Sequence, residues 1–212
     1  MFVHVPPEEI ESRSLAIIDA EVPEPRPFMG EEWIVARRMI HTTADFDLLR
    51  YIHFHPKAVA AGKDALRVGA DIVTDTRMAL SGIPLRRITP LGGTVRCLID
   101  DPQVAGQAKR EQVTRSWAAV DVVMENGGAD IFVIGNAPTA LARLLHWLEQ
   151  GARPPKLVVG MPVGFVNAVE SKDMLCAQTL VPFITIKGRK GGSSLAASVI
   201  NALAELVLGE GV

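Results

Sequence analysis

Aromatic side chains are scarce in this chain: Phe, Trp and Tyr together make up 5% of its 212 residues. That leaves little material for stacking nucleobases. Charge of one sign is lacking too, since 22 Lys and Arg face 24 Asp and Glu for a formal net charge of −2. With no basic block, no nucleic-acid partner is expected. The two cysteines, Cys97 and Cys176, form no CxxC pair and no secreted-type framework; they are expected as reduced core residues of a cytoplasmic protein. No long hydrophobic run occurs. The most apolar stretch, 157–169, is broken by Gly160, Pro162 and Gly164, so no membrane span is expected. Met1-Phe2-Val3-His4-Val5-Pro6-Pro7-Glu8-Glu9 has neither a basic nor an apolar leader segment, which argues against a signal peptide. Walker A, a GxGxxG after a strand and a GxSxG elbow are all missing.

What is present reads as one domain spanning 1–212, with 48% hydrophobic residues to build a core. Its first part, about 7–69, has helical periodicity over 7–20, 30–41, 46–54 and 56–69. Pro23, Pro25 and Pro27 stiffen the link between the first two helices. From about 70 to 208 the pattern becomes strand, loop, helix. Five apolar runs, at 70–74, 94–99, 129–134, 156–159 and 183–186, have the two-faced apolarity of buried parallel strands. Helical segments are predicted at 77–82, 114–126, 139–150, 165–175 and 195–208. Such repeated βα units predict a three-layer α/β/α sandwich around a mainly parallel sheet of about five strands. Ligands of these sheets bind beyond the carboxyl ends of the strands.

Three strand-to-helix junctions at that edge carry glycine: Gly188-Arg189-Lys190-Gly191-Gly192-Ser193-Ser194, Ile134-Gly135-Asn136-Ala137-Pro138-Thr139 and Gly160-Met161-Pro162-Val163-Gly164-Phe165. Exposed backbone N–H groups beside a helix start make an anion site. Three of them suggest a ligand with several negative groups. Asp75 and Asp100-Asp101 lie at the same edge.

Individual side chains admit two readings each. His41 ends a helix and is followed by Thr42-Thr43-Ala44-Asp45. It is either a helix-end residue or a proton donor whose tautomer those neighbours fix. Thr114-Arg115-Ser116 either caps a helix or presents Arg115 to a ligand carboxylate. Glu170-Ser171-Lys172 has the look of a solvated helix face. His53 and His55 form an HxH pair with no acidic or thiol cluster to complete a metal site, so none is expected.

Taken together, the motifs are similar to those of the precorrin-8X methylmutase (precorrin isomerase) family of corrin-ring biosynthesis. The resemblance rests on Arg38-Met39-Ile40-His41-Thr42-Thr43-Ala44-Asp45-Phe46, Thr114-Arg115-Ser116, Ile134-Gly135-Asn136-Ala137-Pro138-Thr139-Ala140-Leu141, Gly160-Met161-Pro162-Val163-Gly164-Phe165-Val166, Glu170-Ser171-Lys172 and Gly188-Arg189-Lys190-Gly191-Gly192-Ser193. These stand in the family's order. The resemblance implies a homodimer with active sites drawn from both subunits. It also implies an isomerase that moves a methyl group from C-11 to C-12 of precorrin-8 or its cobalt form, without a cofactor. His41 takes the place of the family's catalytic acid. Ser14 falls on a substrate-contacting position, and Arg13, Arg38, Thr42, Arg115, Ser116, Lys172, Lys190, Gly191, Gly192 and Ser193 are candidate contacts to the carboxylate-rich tetrapyrrole. A non-catalytic tetrapyrrole carrier and a nucleotide- or phosphate-dependent enzyme are the alternatives. The residues do not separate a metal-free from a cobalt-bearing substrate, because the metal would arrive with the substrate.

Overall fold

Capping residues and prolines decide where most helices begin. A computed structural model describes residues 4–209; Met1 to Val3 of the N-terminal segment read above, and residues 210–212, lie outside them. Helix α1 (Pro7–Glu21) starts on a proline with Glu8 and Glu9 in its first turn, where acidic groups meet the positive helix end. Helix α2 (Gly30–Thr43) stops at Ala44, which takes a left-handed conformation.

The helix expected over 46–54 does not form. The Asp45 carboxylate accepts the Asp47 N–H and starts a short 3-10 turn, Phe46–Arg50. Strand β1 (Ile52–Phe54) follows. Helix α3 (Ala58–Arg67), strand β2 (Asp71–Thr74), the short helices α4 (Arg77–Gly82) and α5 (Leu85–Ile88), and strand β3 (Thr94–Arg96) come next. The run at 94–99 is therefore a strand only in its first half. Helix α6 (Pro102–Glu111) was not expected, although Asp101 caps the Gln103 N–H and Pro102 occupies its first position. The chain then runs α7 (Arg115–Glu125), β4 (Ile131–Ile134), α8 (Pro138–Glu149), β5 (Leu157–Gly160), α9 (Ala168–Ala177), β6 (Phe183–Ile186) and α10 (Ser193–Gly209). Helix α9 starts at Ala168, three residues later than its apolar run.

The six strands form one sheet in the order β1-β6-β5-β4-β2-β3. Every pairing is parallel except β1 with β6, where Ile52 stands opposite Ile186 and Phe54 opposite Ile184. The additional strand is thus an antiparallel edge contributed by the helical part. Alternate residues divide the sheet between two cores. Ile72, Ile131, Val133, Leu157, Val159, Ile184 and Ile186 pack with α2, α3 and α10. Val73, Phe132, Ile134, Val158 and Phe183 pack with α7, α8 and α9. That is the three-layer α/β/α sandwich, each buried Leu, Ile, Val or Phe contributing about 1.5–3 kcal/mol.

Chain order reverses between β2 and β4, because β3 lies outside β2 while β4, β5 and β6 extend the other way. The carboxyl ends of β2 and β4 therefore flank the topological switch point. Among the described residues, no helix is long and apolar enough to cross a membrane.

Candidate functional site

The loop from Gly188 to Ser193 is clamped from several sides. Its Gly192 N–H donates to the Met161 carbonyl at 3.0 Å, and Gly164 N–H donates to the Arg189 carbonyl at 3.2 Å. Gly191 presses so closely on the β5–α9 junction that a Cβ there would lie 2.2 Å from the Met161 oxygen. Only glycine fits. The Ser193 and Thr76 hydroxyls hydrogen-bond at 2.8 Å. Helix α10 enters its ladder with Ala196 N–H bonded to Gly192, so the amides of Ser193, Ser194 and Leu195 stand outside that ladder at its positive end.

The three junctions are not equivalent anion sites. At β4–α8, the backbone N–H groups of Gly135, Asn136 and Ala137 already hold an anion, the Asp75 carboxylate, at 3.0, 2.8 and 2.7 Å. Asp75 is 7% exposed. Burial pushes its carboxyl upward, and the three N–H donors pull it back in part. At β5–α9 the Met161 carbonyl faces the glycine loop, not a ligand. Gly188–Ser193 keeps the amides at the start of α10 to offer, whereas those of β4–α8 are taken. A nucleotide reading based on the switch point loses its phosphate seat.

The second part of the site is the end of α2. His41 and Ser14 share the wall of a concavity of about 320 Å³ with Ile17, Ile18, Glu21, Ile40, Ala44 and Phe46. Ser14 donates to the Ile10 carbonyl at 2.8 Å, one turn back on α1. The neighbours expected to orient His41 are engaged elsewhere. Thr42 donates to the Arg38 carbonyl and Thr43 to the Met39 carbonyl, while Asp45 binds the Asp47 N–H and the Lys190 ammonium. The His41 ring makes no hydrogen bond to any described residue. Lys190 holds the Asp45 carboxyl below the usual carboxylate range, and this ion pair joins the glycine loop to the α2 end.

The arginines differ in what they have free. Arg13 is exposed and pairs with Glu9. Arg38 is 8% exposed and sits between the Glu11 and Glu205 carboxylates, with Arg87 nearby. Its charge is used internally, in a network tying α1, α2 and α10 together. Arg115 is exposed at the start of α7, and no described residue pairs with it. Thr114 both caps α7 by accepting the Trp117 N–H and hydrogen-bonds Thr139 at 2.8 Å. Ser116 lines the nearly closed crevice beside Asp75. Phe165 and Val166 are among the most exposed apolar residues of the chain, Phe165 at 83%, with the Arg189 guanidinium 5.4 Å from its ring.

His41 and Ser14 are thus brought together, and Lys190 ties the Gly188–Ser193 loop to Asp45, just past the end of α2. Arg115 and Ser116 sit in the opposite helical layer. Lys172, read from its neighbours as surface, is 0% exposed and lies under the glycine loop. The roles of Asp75, Thr76 and Glu205 had no signature of their own; the position of Asp75 directly after a strand was the one available hint. His53 and His55 flank the Phe183 ring, at 5.7 Å each. No metal-type cluster of three His, Cys, Asp or Glu occurs among the described residues.

Comparison with known proteins closes the question of family. The precorrin-8X methylmutase family profile (CbiC) matches residues 9–206. The cobalt-precorrin-8 methylmutase of Salmonella typhimurium is 45% identical over 203 residues, covering 93% of this chain and 94% of the relative. That of Priestia megaterium is 42% identical over 202 residues, covering 95% and 89%. The precorrin-8X methylmutase of Sinorhizobium sp is 41% identical over 196 residues, covering 92% of each. A crystal structure of precorrin-8X methylmutase from Thermus thermophilus superposes with a TM-score of 0.89 at 43% identity, over 97% of this chain and 98% of that one. By profile, sequence and fold, the chain belongs to the precorrin-8X methylmutase family of isomerases.

Proposed function

We propose that this protein, acting as a single-domain subunit, moves a methyl group from C-11 to C-12 of precorrin-8 or cobalt-precorrin-8, giving hydrogenobyrinate or cobyrinate, with His41 as general acid. The observation that carries the role of His41 is its setting: a half-buried imidazole on the wall of an apolar concavity, with no hydrogen bond to any described residue. Imidazole carries an exchangeable proton near neutral pH. Donated to a ring nitrogen, that proton withdraws electron density from the conjugated macrocycle and eases the methyl shift; it returns to the imidazole when the product forms. The substrate's acetate and propionate groups match the amides at the start of α10, Lys190 and Arg115. Its flat apolar face matches Ile17, Phe165 and Val166.

A homodimer with shared sites fits the separation of His41 and Arg115 into opposite layers of one chain. A cytoplasmic location fits two free, half-buried thiols. The test is turnover of both substrates by wild-type protein and His41→Ala. The variant should bind hydrogenobyrinate normally and lose roughly 10²–10⁴ in rate. Near wild-type turnover would remove His41 from the chemistry, and normal binding without turnover by the wild type would leave a carrier.

A further inference from the structure

Lys172 is the one feature of this edge whose cost is not explained by the residues around it. It projects from α9, is 0% exposed, and belongs to no ion pair among the described residues. Its ammonium has one recorded partner, the Lys190 carbonyl at 2.8 Å. Taking an ammonium out of water without a carboxylate beside it is costly. Burial accordingly pushes Lys172 down to about 8, against weaker opposing effects of Asp173 and Cys176 on its own helix. An apolar residue of similar length would fill the same space without that penalty. The charge is retained where it grips the backbone of a glycine junction that leads into the open amides at the start of α10.

That grip adds a charged side-chain donor to the clamps that already hold the loop. Gly192 is held by Met161, and Ser193 by Thr76. Between Gly188 and Gly191 the main chain is hydrogen-bonded at the Arg189 carbonyl by Gly164 and at the Lys190 carbonyl by Lys172, with Gly191 wedged against the Met161 carbonyl. The Lys190 side chain then reaches Asp45, four residues beyond His41. One carbonyl thus lies on the path from α9 to the end of α2.

We infer that Lys172 is a positioning residue: it does not touch the substrate, but by binding the Lys190 carbonyl it holds the Gly188–Ser193 loop in the shape that receives a substrate carboxylate. The inference rests on the carboxylate-binding role of this loop proposed above. Lys172→Met keeps the volume and removes the donor; Lys172→Gln keeps a neutral, shorter donor. In the free protein, amide hydrogen exchange at Gly192 and Gly164 should speed up about tenfold or more in Lys172→Met, with less effect in Lys172→Gln, since a charge-assisted hydrogen bond is lost in one and partly replaced in the other. KM for whichever of precorrin-8 and cobalt-precorrin-8 turns over should rise about tenfold or more, while kcat at saturation changes far less.

A raised KM with unchanged exchange in the free protein would mean direct contact with substrate and would overturn the inference. So would an unchanged KM, or a loss confined to kcat. If Lys172→Met does not fold, Lys172→Gln decides alone, because an unaltered KM and unaltered exchange in it would be equally fatal. The exchange measurement needs no substrate, so it stands or falls separately from the methylmutase reading, which the wild-type turnover assay addresses.

Discussion

Arg115 and Arg38 share a side chain and differ in everything that decides what it does. Arg38 is enclosed between Glu11 and Glu205, and those carboxylates hold its proton more tightly than usual despite the burial. A substrate would have to compete with both. Arg115 faces solvent at the start of α7 with its planar fork unpaired. Replacing Arg115 by Ala should therefore weaken binding of hydrogenobyrinate by about 1.5–3 kcal/mol. Lys at this position should recover only part, because an ammonium cannot make the two parallel bonds. Titration calorimetry distinguishes the outcomes, and an unchanged affinity would leave Arg115 as the neighbour of a helix cap. Sequence could not separate the two arginines, because the partners of Arg38 come from 27 residues before and 167 residues after it. The same distance problem hid the burial of Lys172, whose neighbours Glu170 and Asp173 are exposed while its own side chain turns inward.

Among elements, legibility followed how local the cause was. Helices α1, α2, α7 and α10 were readable because their signals are local: apolar spacing in each, acidic residues in the first turn of α1, and the Thr114 cap next to α7. Strands β2, β4, β5 and β6 were readable because an apolar run between two cores resembles little else. Strand β1 was not: Ile52-His53-Phe54 becomes a strand only because β6, some 130 residues later, supplies the edge it pairs with. The β4–α8 junction shows the same limit, since glycine near a helix start announces an anion without saying whose. Asp75 gives the answer, and with it a prediction. Asp75→Ala should leave the N–H groups of Gly135, Asn136 and Ala137 without their acceptor and lower unfolding stability by roughly 3 kcal/mol. Asp75→Asn should be little better, because one side of the amide turns its own hydrogens toward those N–H groups. Denaturant titration reads this directly. A change below about 0.5 kcal/mol would show that the junction holds its shape without Asp75.

At the scale of the whole molecule, His41 and Arg115 lie on different layers, and a macrocycle has two faces and a rim to be held. In a two-fold dimer that shares its sites, His41→Ala and Arg115→Ala subunits should complement. Each mixed dimer would carry one intact site and one doubly defective site, restoring about half the activity of a wild-type dimer. No recovery in verified mixed dimers would place both residues in one site of one subunit. The shape of the sheet bears on how two copies can meet. Both of its outermost strands, β1 and β3, are only three residues long. A neighbouring chain seeking to continue the ladder would find a handful of main-chain groups and then helix or loop. With both ends stubbed, the sheet offers a second copy little to extend, and association by fibre-like stacking is disfavoured.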